Sequence, residues 1–272
     1  MMTGKAVLET MKPQLCRPIL LLPVIFCLLV LLDPMRPASG GEDKLFLGFR
    51  QEDDSESTPE GWELLTYPGT GENEISLLKE DERAILHVKS LGSASGLLRR
   101  LEVDLKEFSI LVWRWKINRV VGMAIESQSD RNDSTARIRV IFGRGGEKGG
   151  EKPRPVSPQI EELLKRLGIN LGIKQTAREP RGFKIDYIWG NRIAPGEVLD
   201  YPRSRNHKVV VVKSGNGEVN RWIWEKRNLV EDFELLFESS PPGLSAIVIL
   251  TDTDQTNEGV EAWYSSIVLM KE

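Results

Sequence analysis

Histidine and cysteine are nearly missing from this 272-residue chain, which has two of each: His87 and His207, Cys16 and Cys27. Catalytic zinc sites and Ser-His-Asp triads draw on histidine, so two copies argue against both classes. Both cysteines fall within the first 27 residues, leaving everything after them without a disulfide. Neither sign of charge dominates: 37 Lys plus Arg stand against 40 Asp plus Glu, a formal net charge of −3. That balance offers no basic footprint, and no nucleic-acid partner is expected. The sequence contains no phosphate loop, no CxxC, no HExxH and no GxSxG. It also shows no internal repeat and no linker that would split it into domains.

The one long apolar run lies at the start. Lys5, Lys12 and Arg17 precede Ile19 to Leu32, and the small residues Ala38-Ser39-Gly40 follow. Fourteen residues span about 21 Å as a helix, short of the roughly 30 Å hydrocarbon core, and Pro23 weakens the run further. The expectation is a cleavable signal peptide over 1–40 and an exported protein of the periplasm or cell envelope. The other reading is an uncleaved anchor, which would be the protein's sole contact with a membrane. Without Lys5, Lys12, Arg17, Arg36, Glu9 and Asp33, the remainder holds 33 basic and 38 acidic residues, a net charge of −5. An exported domain without disulfides must stand on its own core, and 232 residues suffice for one.

From Lys44 onward the pattern is one of short β segments bounded by Gly, Pro, Asn or Asp. Strands are expected at Leu45–Arg50, Arg83–Ser90, Leu97–Asp104, Ile110–Asn118, Ala136–Phe142, Phe183–Trp189, Lys208–Lys213, Glu218–Trp224, Leu244–Leu250 and Ala262–Met270. With no helices alternating between them, they predict an all-β antiparallel sandwich or jelly roll over 41–272. Two short helices are expected within it. One follows Ser157-Pro158 inside a Gly/Pro-rich excursion over 143–181, with Ile160, Leu163, Leu164 and Leu167 on one face. The other starts at Asn228, with Glu231 three residues on as in a capping box.

Strand periodicity assigns faces. In Leu111 to Ile117, Trp113 and Trp115 share a side with apolar neighbours and are expected in the core, while Arg114 and Lys116 point away. Arg137 and Arg139 likewise oppose Ala136, Ile138 and Val140. Tyr187 and Trp189 join Ile185 inside, opposite Lys184 and Asp186. The expectation is one outer face carrying Arg114, Lys116, Arg137, Arg139, Lys184 and Asp186. Its plain reading is a solvated surface of cross-strand ion pairs. Its functional reading is a groove for an anionic or hydroxyl-rich ligand, with Arg as bidentate donor.

The acidic run Thr251 to Glu258 begins like a calcium loop, but from Asp252 its sixth position is Asn257 instead of Gly and its twelfth is Trp263 instead of Glu. A Ca²⁺ site of another kind, using Asp252 and Asp254, is one reading; a turn whose side chains bond their own backbone is the other. No cofactor is required by either. Asp130 and Asp133 form a second acidic cluster before the Arg137 strand.

With these segments placed, the chain resembles the bacterial family catalogued as domain of unknown function 3047. The residues that carry the resemblance are Leu111 to Trp115, Asp133 to Phe142, Tyr187-Ile188-Trp189, Val210 to Gly215, Glu225 to Asn228 with Asp232, and Thr251 to Thr256. Where such families show Asp-Asp before the Ala-Arg strand, this chain has Asn132-Asp133. The resemblance implies an envelope protein without an established activity. More loosely, Gly61-Trp62, the central Trp strand and Trp263 to Ile267 are similar to galactose-binding-like jelly rolls. Many of those hold a structural Ca²⁺ near the final strand, where this chain has Ser265-Ser266.

Taken together, the sequence favours a non-catalytic sandwich binding a glycan or other polar or anionic molecule. The second reading is a carboxylate-dependent enzyme acting on polysaccharide, and the third a structural or assembly partner in the envelope that uses the excursion as its interface.

Overall fold

Period-2 alternation of apolar and polar residues builds two sheets that close on each other. A computed structural model describes residues 43–50, 53, 58–80, 83–143, 166, 176–202 and 204–272. In chain order the strands are β1 (Lys44–Phe46), β2 (Glu63–Thr66), β3 (Glu74–Glu80), β4 (Arg83–Leu91), β5 (Ala94–Val103), β6 (Ile110–Ile117) and β7 (Ser134–Phe142). They continue with β8 (Phe183–Gly190), β9 (Val198–Asp200), β10 (His207–Ser214), β11 (Ile223–Asn228), β12 (Leu244–Asp252) and β13 (Gly259–Met270), with helix α1 (Leu229–Phe237) after β11. The leader expected over 1–40 and the helix expected after Pro158 lie outside the described residues, apart from Arg166.

The front sheet has the order β11-β6-β13-β4-β3, with β1 pairing the far end of β13. The back sheet runs β2-β5-β12-β7-β8-β10-β9. This is the all-β sandwich expected, with one departure: β8 and β10 run parallel, joined by the 191–206 connection that also carries β9. The unforeseen strands β2, β3 and β9 are edge strands or sit beside one, where a half-exposed ladder needs little apolar sequence. β11 begins at Ile223, later than expected, because residues 217–220 form a turn before it.

Inward side chains of both sheets make one core. Trp113 and Trp115 are fully buried and meet edge to face at 5.5 Å. Across the sandwich Trp113 packs on Tyr187 at 5.5 Å and Trp115 on Trp189 at 6.0 Å, so an aromatic layer joins front to back. Gly96 lets β5 and β12 approach, since a Cβ there would lie 1.9 Å from the Ile249 carbonyl oxygen. Helix α1 is capped as its sequence directs: the Asn228 side chain accepts from the backbone N–H groups of Val230 and Glu231. Its Phe233 seats between Phe142 and Phe183.

Candidate functional site

The structure does not assemble the six outward polar residues into one face. β6 lies in the front sheet between β11 and β13, whereas β7 and β8 are neighbours in the back sheet. Arg114 and Lys116 therefore stand on one outer surface of the sandwich, and Arg137, Arg139, Lys184 and Asp186 on the opposite one. The alternation of a strand says which way its side chains point relative to its own backbone. It carries no information about which sheet the strand joins.

On the back sheet the charges neutralise one another out of water. Arg139 Nε and Nη2 donate to Asp186 at 2.6 and 2.8 Å, and Arg137 Nη1 donates to the same carboxylate at 3.2 Å. Segment 176–182 crosses this surface, tied to β2 by the Ala177 N–H to Leu64 carbonyl bond of 2.7 Å. It delivers Glu179 to Arg139, Lys184 and the Tyr67 hydroxyl. Arg137, Arg139 and Asp186 are 3%, 5% and 0% exposed, so no ligand reaches them from solvent. Burial opposes ionisation of Asp186, but Arg139 and then His207 hold its carboxyl well below the usual range. Glu179, also buried, is brought down to about 2 by Arg139 and Lys184. His207 Nε2 lies 3.0 Å from Asp186 Oδ1, although its direction misses hydrogen-bond alignment, and its ring stacks on Tyr201. Burial outweighs the pull of Asp186 and lowers the imidazole's pKa.

The front sheet presents different chemistry. Of the seven Trp residues, Trp62, Trp113, Trp115 and Trp189 are core; the other three, Trp222, Trp224 and Trp263, are all on the front sheet's outer face. Register lines them up with the cations. Trp224 pairs with Arg114 across β11 and β6, while Trp263 on β13 sits between Lys116 on β6 and His87 on β4. The Arg114 guanidinium lies 4.3 Å from the Trp222 ring centre and 5.8 Å from that of Trp224. Lys116 Nζ is 5.0 Å from Trp222 and 4.6 Å from Trp263. Trp263 stacks on His87 at 4.7 Å and 4°, and His87 Nε2 meets Glu261 at 2.7 Å. The result is a band of aromatic rings interleaved with cations across four strands. Trp224 is 56% exposed, and Trp222 and Trp263 are half-buried.

This band includes two of the residues singled out in the sequence, Arg114 and Lys116, and adds Trp222, Trp224, Trp263, His87 and Glu261. The signal for the first two additions was present in Trp222-Ile223-Trp224, where the indoles alternate with the side that turns inward. Nothing local in the sequence ties Trp263 or His87 to β6.

Asp252 ends β12, Asp254 follows it and Asp133 precedes β7; each offers an oxygen, and the three oxygens lie within 4.8 Å of one another. The expected partnership of Asp252 and Asp254 thus gains Asp133, whereas Asp130 is exposed and outside the group. Burial, reinforced by Asp254 and Asp133 and opposed by Arg137, pushes the Asp252 carboxyl well above its ordinary range. Elsewhere, a cleft of about 180 Å³ opens where the edges of the sheets meet, lined by Glu225, Arg227, Asp232, Val198, Val210 and Leu236. Burial pushes Glu225 up to about 7 against the pull of Lys213.

Residues 60–268 match the family described as "Protein of unknown function (DUF3047)". No curated protein matches the chain. Among solved structures, the chain is similar to the family 30 carbohydrate-binding module of a cellulosomal cellulase of Clostridium thermocellum, with 11% identity, 84% of this chain and 92% of that one covered, and a TM-score of 0.35. A carbohydrate-binding module specific for non-crystalline cellulose gives 10% identity, 82% and 97% coverage and a TM-score of 0.32. An exo-beta-agarase gives 13%, 85% of this chain, 25% of that chain and 0.32.

Proposed function

The chain belongs to the DUF3047 family of unknown function, and we propose that it is a glycan-binding sandwich whose outer front face is the binding surface. The observation that carries this reading is that every Trp outside the core stands on that one face. Sugar rings present C–H bonds that pack on the electron-rich face of an indole, and their hydroxyls or carboxylates take hydrogen bonds from Lys and Arg. The band supplies both. Cations set against the rings also hold them in place, which lowers the ordering cost of binding. Arg114 is buried beneath Trp222 and Trp224, and the half-buried Lys116 biases the surface toward acidic sugars over neutral ones.

The test titrates the full chain with neutral and uronic-acid oligosaccharides, following Trp fluorescence. Trp224→Ala and Trp263→Ala should each weaken binding roughly ten-fold or more, the scale of losing an aromatic anchor. Trp224→Ala should leave the melting temperature nearly unchanged, since that ring is more than half exposed. Binding that survives both substitutions intact would sink the assignment. We further propose that the protein is exported, on the strength of the charged start, the apolar run and the small residues before Gly41. Intact-mass analysis checks this: a mature chain starting near Gly41 supports cleavage, and retention of residues 1–40 means a membrane tether.

A further inference from the structure

The acidic group at the end of β12 has an electrostatic problem that the protein alone does not solve. Asp133 and Asp252 are 1% and 8% exposed. Asp133 Oδ2 accepts from the Thr256 N–H at 2.8 Å and the Thr256 hydroxyl at 2.7 Å, which pins the 253–257 turn over it. Its Oδ1, and the Oδ1 of Asp252, are buried without a hydrogen-bond partner among the described residues. Buried polar atoms are normally satisfied, so two orphaned carboxylate oxygens in one group call for a missing donor or cation. The protein's own positive charge falls short. Arg137 Nη2 is 3.9 Å from Asp252 Oδ2, but that guanidinium also bonds Asp186, Ser134 and the Asn132 carbonyl.

We propose that Asp133, Asp252 and Asp254 bind one divalent cation, Ca²⁺. The donors are all oxygen, with no imidazole or thiolate among them, which selects a hard ion over zinc or copper. Three oxygens within 4.8 Å of one another can share one ion, and an irregular set of carboxylates suits the flexible shell of Ca²⁺, with ligands at about 2.3–2.6 Å, better than the near-octahedral shell that Mg²⁺ demands. The ion would clamp the turn after β12 to the segment entering β7, two neighbouring strands in the middle of the back sheet. It is therefore a structural site, independent of the front-face reading.

Calorimetric titration of the full chain, stripped with chelator, with CaCl₂ and separately with MgCl₂ tests this. The expected result is one equivalent of Ca²⁺ bound, weaker Mg²⁺ binding, and a rise of several degrees in melting temperature at saturating Ca²⁺. Asp252→Asn and Asp133→Asn, which keep side-chain shape, should each abolish or weaken Ca²⁺ binding at least ten-fold. Asp130→Asn should leave it intact. Asp252→Asn should also hold or raise the melting temperature without Ca²⁺, because it removes one of three crowded like charges. Absence of heat and of thermal shift up to about 10 mM Ca²⁺, above the roughly millimolar range of weak extracellular calcium modules, would overturn the proposal. So would an unchanged Ca²⁺ response in both Asn variants.

Discussion

Arg114 with Lys116 on β6 and Arg137 with Arg139 on β7 are the same motif in sequence, yet they end in different company. On β7 both guanidiniums are buried and pair with Asp186, and segment 176–182 brings Glu179 onto Arg139. On β6 the half-buried Lys116 is set between half-open indoles, and Arg114, 9% exposed, lies beneath Trp222 and Trp224. An outward charge on a strand becomes structure when a distant segment brings a carboxylate over it. It becomes a surface for ligands when aromatics frame it and solvent remains. The alternation is identical in both cases; the covering decides.

Substitution should expose this difference as energy. Arg139→Ala leaves Asp186 and Glu179 buried with too little positive charge and is expected to cost about 3–5 kcal/mol in urea denaturation. Lys116→Ala, on the open face, should cost under about 1 kcal/mol while weakening binding of acidic oligosaccharides. Equal losses for the two variants would mean that the faces are energetically alike.

The faces should also separate by pH. Glu179 has a folded pKa of about 2, below its unfolded value of about 4.5. Its contribution is therefore present above pH 4.5 and fades as the pH falls toward 2. For so buried a carboxylate that is about 3 kcal/mol at most. His207, lowered by burial, adds a loss that begins as the pH drops below about 6.5, where the unfolded chain takes up the proton first. Denaturation between pH 7 and pH 3 should show this slope in the wild type and a shallower one in Glu179→Gln.

The cleft between the sheet edges behaves in the opposite sense. Glu225 has a folded pKa of about 7, so the folded state holds its proton more tightly. Its contribution is present below about pH 4.5 and is lost as the pH rises through 7. Glu225→Gln should melt above the wild type at pH 8, with the gap closing at pH 5. A gap that does not change with pH would assign the effect to packing instead of charge.

One further small change belongs to neither face. Asn228→Ala removes the side chain that caps α1 and should cost about 1 kcal/mol without altering ligand binding. It sets the scale on which the loss at Arg139 can be read as that of a buried network.

Much of the fold is legible in the sequence because its determinants are local. Alternation around Trp113 and Trp115 places them in the core, and Asn228 with Glu231 announces the start of α1. The same rule points Arg114, Arg137 and Asp186 outward, since successive side chains on a strand must leave on opposite sides. Which strands become neighbours is decided by ladders between segments far apart in the chain. Only those ladders set β6 against β13 instead of β7, bring Trp263 beside Lys116, and carry Asp133 to Asp252 and Asp254. Whether an outward charge is buried depends on what lies above it, and that is settled by the return of segment 176–182 across the back sheet. Local sequence determined the side of each strand on which a residue stands. Tertiary structure alone decided its company, because pairing and covering are long-range contacts that no short window of residues contains.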